Sequence, residues 1–132
     1  MASIPEAVHD LFEKATFAHL ATMTPTGYPH VTPVWIDYDA ETGHLLVNTE
    51  RERRKTKNVE ANPKVGVSMI DPDNPYRFLS VFGDVEEITT DGARAHIDVL
   101  AQRYVGEDEY PNPIESERVV LRIAPERVFS GP

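Results

Sequence analysis

The sequence predicts a mainly antiparallel β protein with flanking helices, an α+β fold in which a small barrel is covered by helices. Short runs of β-branched and aromatic residues are joined by tight turns rich in Pro, Gly and Asp, which is the pattern of antiparallel hairpins. About six such strands in a chain of 132 residues must curl or close to avoid exposed edges.

The first half of the chain is predicted to contain one helix and three strands. Apolar residues recur at helical spacing over residues 4–15, after a capping-box pair at Ser3 and Glu6. Strands are predicted at residues 17–23, 30–38 and 44–48. Pro33 lies inside the second strand and has no N–H for the ladder, so we expect an edge or a bulge there.

The second half is predicted to contain longer elements. A helix runs from the capping-box pair Thr49 and Glu52 to a stop at Asn62-Pro63. The remaining predictions are strands at 64–70, 76–88 and 118–123, an irregular loop at 71–75, a helix at 91–104 and an acidic loop at 106–117. Gly83 is a candidate bulge at which the long strand turns a barrel corner.

Composition indicates one globular domain over residues 1–132. Hydrophobic residues make up 40% and charged residues 27% of the chain, and there is no cysteine for a disulfide, a thiolate nucleophile or a Cys-based metal site. No apolar run approaches the ~20 residues of a membrane span, and the N-terminal segment lacks the pattern of a secretion signal. We therefore expect a cytoplasmic protein with no membrane partner.

The charge distribution contains a local reversal of sign. A net charge of -9 argues against nucleic-acid binding, which needs a basic face. Five cations nevertheless stand between residues 51 and 57, where the predicted strand turns into the predicted helix: Arg51, Arg53, Arg54, Lys55 and Lys57. A helix N-terminus also favours anions, so we interpret this corner as a seat for the phosphate of a nucleotide-like cofactor. The alternative is a solvated helix face whose cations pair with nearby glutamates.

Side chains that could carry out chemistry themselves are sparse. The five histidines show no metal-ligand spacing, so no metal site is predicted. No nucleophile elbow, dinucleotide fingerprint or phosphate-binding P-loop occurs. We expect no catalytic side chain, and a cofactor that supplies the chemistry. Trp35, Tyr76 and Phe78 are either core aromatics or side chains that flank a flat cofactor ring.

Five segments, in this order, carry a family resemblance: FAHLATMTPTGYPHVTPVW (17–35), LLVNT (45–49), RRKTKN (53–58), NPKVGVSMIDPDNPYRF (62–78) and GDVEEIT (83–89). Together they resemble the flavin and deazaflavin oxidoreductases related to pyridoxamine-phosphate oxidase, and within them the small branch that binds coenzyme F420. The resemblance implies an FMN-binding-like split β-barrel. It also implies a homodimer with two cofactor sites at the subunit interface.

The same resemblance implies a set of site residues. The cofactor phosphate and tail are expected at Arg53, Lys55 and Asn58, with Asn48 and Thr49 at the strand end. The ring is expected along Pro33, Val34 and Trp35, and a segment of three residues is expected to line the tail or to approach from the partner subunit: Tyr76, Arg77 and Phe78.

The expected reaction is hydride transfer from reduced F420 to a small unsaturated or quinone-like acceptor. Two alternatives stay open: an FMN-binding oxidoreductase of the same fold, and a non-catalytic protein that binds F420 or a tetrapyrrole. The multiply anionic F420 tail favours an extended basic strip, which Arg51, Arg54 and Lys57 offer. No clear set of substrate-phosphate residues is found in residues 118–132, which disfavours pyridoxamine-phosphate oxidase activity.

Overall fold

In the computed structural model, residues 1–131 are described and form one curved sheet of seven strands with three helices. The strands are β1 (Ala18–Met23), β2 (Pro29–Val34), β3 (Asp37–Asp39), β4 (His44–Glu50), β5 (Lys64–Asp71), β6 (Asn74–Thr89) and β7 (Arg118–Ser130). The helices are an N-terminal 3₁₀ helix (Glu6–Phe12), α1 (Arg54–Ala61) and α2 (Ala93–Val105). The strand order is β2-β1-β5-β6-β7-β4-β3 and every pairing is antiparallel. The predicted fold class, an α+β split β-barrel, is confirmed.

Two long strands bend the sheet around its core. β6 pairs with β5 on one side and with β7 on the other, and the β6–β7 register shifts between Phe82 and Gly83 and again between Val85 and Glu87. A Cβ added at Gly83 would lie 2.7 Å from the carbonyl oxygen of Ala124, so a larger residue does not fit this approach. The predicted bulge at Gly83 is confirmed, and bulges of this kind increase strand twist and bending.

Alternating apolar residues on the inner face of the sheet form one continuous core. Val65, Val67 and Met69 point inward from β5, as the strand period of two requires. The N-terminal 3₁₀ helix covers this core with Val8, Leu11 and Phe12. On the other face of β4 and β7, a small cluster of Leu46, Val120 and Ala93 holds α2 against the sheet.

Three predictions for the first half of the chain were incomplete or wrong. The helix predicted over residues 4–15 is a shorter 3₁₀ helix, and the Ser3–Glu6 capping box does not form, because extended Pro5 is the N-cap and no side chain caps it. The strand predicted over residues 30–38 divides at Trp35 and Ile36, because β2 pairs with β1 while β3 pairs with β4. The expectation that Pro33 lies in an edge strand is confirmed, since β2 ends the strand order.

Two further predictions failed because β-pairing continues beyond the expected strand ends. Thr49 and Glu50 still pair with β7, so α1 begins at Arg54 with Arg53 as N-cap, and the predicted Thr49–Glu52 capping box does not form. Of residues 71–75, predicted as an irregular loop, only Pro72 and Asp73 form a turn, because Asn74 already pairs with Asp71 in the ladder between β5 and β6. The Asp71 carboxylate accepts the main-chain N–H of Asp73 at 2.8 Å within this turn. No helix within residues 1–131 is long and apolar enough to cross a membrane.

Candidate cofactor-binding site

A cleft of about 200 Å³ opens where β2 and β4 end, beside the start of α1 and the segment before β7. Its lining residues are Phe17, Pro33, Val34, Trp35, Asn48, Thr49, Arg53, Lys55, Ile97, Tyr110, Asn112 and Arg118. Residues predicted from two separate stretches of sequence, 33–35 and 48–55, therefore lie around the same cleft. The end of the β4 strand supplies Asn48 and Thr49, and the first turn of α1 supplies the cations.

Three cationic side chains converge on this cleft. Arg53 is the N-cap of α1, Lys55 lies in its first turn, and Arg118 begins β7. Burial lowers the pKa of Lys55, and the charges of Arg53 and Arg118 lower it further. Glu50 is the one carboxylate paired with Arg53 and Arg118, and Lys55 has no carboxylate partner, so the cleft carries excess positive charge and attracts anions.

Glu50 joins these cations to the segment that precedes β7. Its side chain is only 2% exposed, with Oε2 at 3.4 Å from Arg118 Nη1 and 3.6 Å from Arg53 Nη2. Its Oε1 accepts hydrogen bonds from the N–H of Glu115 at 3.0 Å, and from the N–H and hydroxyl of Ser116 at 2.7 and 3.1 Å. Burial alone raises the pKa of Glu50, but these hydrogen bonds and the charge of Arg53 lower it. Ionised Glu50 therefore holds residues 115–116 close to Arg53 and Arg118.

Aromatic rings line the same cleft as the cations. Trp35 stacks on Tyr104 with centroids 5.2 Å apart and an interplanar angle of 10°, and it meets the Tyr110 ring edge-on at 6.0 Å. The Tyr104 hydroxyl donates to the carbonyl of Thr16 at 2.6 Å and accepts the N–H of Ile36 at 3.1 Å. Since Tyr104 is held at both its ring and its hydroxyl, Trp35 is a rigid, flat surface suited to an aromatic ligand.

Arg118 is oriented by two neighbours. Its Nε and Nη2 donate to Asn48 Oδ1 at 2.9 and 2.7 Å, and its guanidinium lies 5.1 Å from the centroid of the Tyr110 ring. These contacts place the edge of the Arg118 guanidinium against Asn48 Oδ1 and its flat face over the Tyr110 ring. Arg118 is consequently presented to the cleft in one orientation.

Five of the predicted site residues do not line this cleft: Arg54, Asn58, Tyr76, Arg77 and Phe78. Arg54 is exposed on α1, whereas Asn58 is buried and donates to Thr22 Oγ1 at 3.0 Å. Arg77 forms ion pairs with Asp10 and Asp71, which tie the β5–β6 turn to the N-terminal segment. That residues 76–78 reach the site of a partner subunit stays a prediction.

The predicted basic strip is partly neutralised. Arg51 pairs with Glu117 at 3.1 Å, and Lys57 pairs with Glu52 at 3.5 Å and Glu60 at 3.8 Å. Arg51 and Lys57 are therefore ion-paired outside the cleft, although such exposed pairs are weak. Of the five cations between residues 51 and 57, Arg53 and Lys55 alone line the cleft.

Sequence reasoning missed five lining residues: Phe17, Ile97, Tyr110, Asn112 and Arg118. Tyr110 and Asn112 lie in an aperiodic acidic segment, for which no pattern predicts a position. Arg118 was assigned only to a closing strand, and residues 118–132 were judged to lack a phosphate-binding set, yet Arg118 lies beside Arg53 and Lys55. The available signal was its place as the first cation after that acidic segment.

The lining of the cleft contains no carboxylate and no imidazole. Throughout residues 1–131, no group of three or more His, Asp or Glu side chains is arranged to hold a metal ion. The side chains around the cleft are suited to binding an anion and a flat ring, and they supply no general acid or base of ordinary pKa near neutrality.

The sequence of this chain matches a known family over nearly its whole length. The family model for pyridoxamine 5'-phosphate oxidase matches residues 4–130. The chain belongs to this family. This family match agrees with the split-barrel fold. Together with the similarity to an F420 reductase, described next, it supports an oxidoreductase of the flavin or deazaflavin kind.

Solved structures of similar proteins extend this comparison. An F420 reductase is 38% identical, with a TM-score of 0.83 over 96% of this chain and 98% of that protein. A conserved hypothetical protein from Mycobacterium tuberculosis is 27% identical, with a TM-score of 0.72 over 97% of this chain and 84% of that one. General Stress Protein 26 from Bacillus anthracis, at 20% identity and a TM-score of 0.71 over 96% and 92%, shares the fold. No curated protein matches this chain.

Proposed function

We propose that this protein is an F420-dependent oxidoreductase that transfers a hydride to a small unsaturated or quinone-like acceptor. The observation that carries this proposal is the convergence of Arg53, Lys55 and Arg118 on a cleft that Trp35 also lines. A phosphate and an aromatic ring joined by a short chain match those two surfaces. The 38% identity to an F420 reductase favours the deazaflavin over other ligands of this shape.

The residues present fit such a cofactor. Arg53, Lys55 and Arg118 hold its phosphate, because charge-assisted hydrogen bonds to phosphate are the strong ones and Lys55 lacks a compensating carboxylate in the cleft. Trp35 and Tyr110 flank its ring and exclude water from one side. The edge strand β2 offers main-chain groups that no neighbouring strand uses. When bound, the deazaflavin supplies the hydride.

The absence of carboxylates and imidazoles from the lining supports this assignment of roles. Within the part of the chain that the structure describes, the cleft offers cations, amides and aromatic rings but no Asp, Glu or His side chain. Hydride transfer is cofactor chemistry, for which the protein supplies binding, orientation and electrostatics. We therefore assign no catalytic side chain.

The proposal includes a homodimer that completes the cleft. Exposed apolar side chains share the outer face of β2, β5, β6 and β7: Val31, Ile70, Phe82 and Phe129. Pro33 lies on the same face of β2 as Val31, and it also lines the cleft. Contiguous exposed apolar surface marks interaction sites. The cleft volume of about 200 Å³ lies below the roughly 300–1,000 Å³ of small-molecule sites, so a second copy is expected to supply a further wall.

FMN is a second candidate cofactor, and the ion pairs of Arg51 and Lys57 favour it. Both cations were expected to contact the long anionic tail that distinguishes F420, and both are partly neutralised by glutamates. Titration of the cofactor-free protein with F420 and, separately, with FMN distinguishes the two. Micromolar or tighter binding of F420, with FMN at least tenfold weaker, is the expected result, and the reverse order would assign FMN.

A double variant tests where the phosphate binds. Arg53→Ala with Lys55→Ala removes two charge-assisted contacts and should weaken F420 binding by at least about 100-fold. Lys64→Ala is the matched control, because Lys64 is exposed and pairs with Asp84 away from the cleft. Unchanged affinity in the double variant contradicts the placement. Tight binding with no turnover of any quinone or enone would instead identify a cofactor carrier.

A further inference from the structure

A chain of hydrogen bonds leads from the surface of α2 to the cleft. Arg103 Nη1 lies 3.0 Å from Asp37 Oδ1, and Asp37 Oδ2 lies 2.9 Å from His96 Nε2. His96 Nδ1 lies 3.1 Å from Asn48 Nδ2, and Asn48 Oδ1 lies 2.9 and 2.7 Å from Nε and Nη2 of Arg118. Of these hydrogen-bonded residues, only Arg118 is among the proposed cofactor contacts.

Arg118 determines which group donates and which accepts in each of these hydrogen bonds. A guanidinium only donates, so the Asn48 atom that faces Arg118 must be the amide oxygen. The Asn48 NH₂ group then faces His96 Nδ1 and the carbonyl of Ala93, the latter at 2.8 Å. An amide nitrogen also only donates, so His96 Nδ1 must be unprotonated and Nε2–H donates to Asp37. The whole network is satisfied only when His96 is neutral.

A second proton on His96 would break this arrangement. The added Nδ1–H would face the NH₂ group of Asn48, which places two donors together without an acceptor. Asn48 would have to turn, and Arg118 would lose both of its hydrogen bonds to Asn48, which leaves the longer contact with Glu50 at 3.4 Å and the Tyr110 ring to hold it. The side chain of His96 is only 16% exposed, so water has little access to relieve the conflict.

The charged groups around His96 act in opposite directions. Asp37 on β3 favours the protonated imidazole, and Arg103 on α2 weakens that effect by pairing with the same carboxylate. Arg118 on β7 disfavours protonation through Asn48 on β4. The charge of His96 and the orientation of Arg118 are therefore linked.

We propose that neutral His96 is a positioning residue that orients Arg118 through Asn48 and thereby sets the anion affinity of the cleft. The inference rests on the proposed function, because it takes the cleft to be an anion site. Histidine ordinarily changes charge between about pH 5 and 8, so anion affinity should fall as the solution becomes more acidic. A simple cationic site behaves in the opposite way, since added protons strengthen its attraction for anions.

The first test reads the tautomer of His96 directly. Long-range ¹H–¹⁵N NMR of the full-length protein at about pH 8 should show neutral His96 with its proton on Nε2. A proton on Nδ1, or on both nitrogens, overturns the inference. That result would leave the anion site itself standing, so the two claims fail separately.

The second test measures anion affinity with inorganic sulfate, which stays dianionic over this pH range. Trp35 is the single tryptophan and lies in the cleft, so its fluorescence reports binding. Wild-type protein should bind sulfate about tenfold more weakly at about pH 5.5 than at about pH 8, the effect of losing one charge-assisted contact. Thermal melts at both pH values establish that the protein is folded.

Two variants separate positioning from simple structural support. His96→Asn keeps an oxygen that can accept from Asn48 but does not titrate, so it should bind sulfate as tightly as wild type and equally at both pH values. His96→Leu removes the acceptor and should bind weakly at both. The matched control is His44→Asn, because the His44 side chain has the same exposure as that of His96, 16%, and pairs with a carboxylate, Glu86, outside the cleft.

Each outcome decides the inference. A wild-type pH profile in His96→Asn, or equal sulfate affinity of wild type at both pH values, overturns it while the anion site remains. The absence of sulfate binding by wild type at every pH overturns both this inference and the proposed function.

Discussion

Replacing Arg118 tests whether the residue that sequence reasoning missed is part of the anion site. In Arg118→Leu the cleft loses one of three cations, and Asn48 Oδ1 loses both of its donors. Loss of one charge-assisted contact to phosphate costs about 1.5–3 kcal/mol, so cofactor affinity should fall roughly 10- to 150-fold. The unsatisfied amide oxygen should also lower the free energy of unfolding by about 1–3 kcal/mol.

The assay follows binding and stability separately. Fluorescence titration with F420 gives the dissociation constant, and urea unfolding gives the stability. Arg118→Lys is an informative intermediate, because lysine keeps the charge but cannot make the paired contact with Asn48 and should lose less affinity than leucine. Arg122→Leu is the matched control, since Arg122 lies on the same strand but pairs with Asp39 at 2.7 Å, outside the cleft.

Arg118 is not part of the anion site if Arg118→Leu binds F420 within twofold of wild type while remaining folded. The same conclusion follows if Arg122→Leu loses as much affinity as Arg118→Leu, because the loss would then report net charge rather than position.

The remaining predictions concern the core, the bulge, acid stability and assembly. Leu121→Ala, at a fully buried position, should destabilise the protein by about 2–5 kcal/mol in urea unfolding, and a loss below 1 kcal/mol would contradict the core assignment. Gly83→Ala should lower the melting temperature, because its Cβ would clash with the carbonyl of Ala124; an unchanged melting temperature argues against the close approach. Burial alone would raise the pKa of Asp37, but hydrogen bonds from His96, the Tyr38 N–H and Arg103 lower it from 3.8 to about 2. The ionised carboxylate therefore adds about 2 kcal/mol to the free energy of unfolding above pH 3.8, and this contribution is lost as the pH falls toward about 2. Between these pH values the free energy of unfolding of Asp37→Asn should change by about 2 kcal/mol less than that of the wild type. Phe82→Asp should convert a dimer to monomers in analytical ultracentrifugation, and a variant that stays dimeric places the interface elsewhere.

Local chemistry explains why much of the fold could be predicted. Pro33 has no N–H, so an edge position follows from its covalent structure wherever the rest of the sheet lies. Gly83 similarly marks a position where another backbone comes close. Helix and strand ends were less predictable, because the pairing of β4 with β7 carries Thr49 and Glu50 past the point where a capping box was expected. That pairing joins residues about 70 positions apart, beyond the reach of any local pattern.

The candidate site divides in the same way. The amino-acid sequence was enough to predict that the cations Arg53 and Lys55 follow a strand end, because these residues are neighbours in the chain and a short turn keeps them together. The position of Arg118 beside them, and the hydrogen bond that Asn58 donates to Thr22, depend on tertiary packing. The spacing of a polar residue along a helix is the same whether its side chain faces a core or a cleft. Tertiary packing therefore determines which of the two it faces. A cation after an aperiodic segment reaches its position only when long-range contacts, here those of Glu50 and Asn48, hold it there.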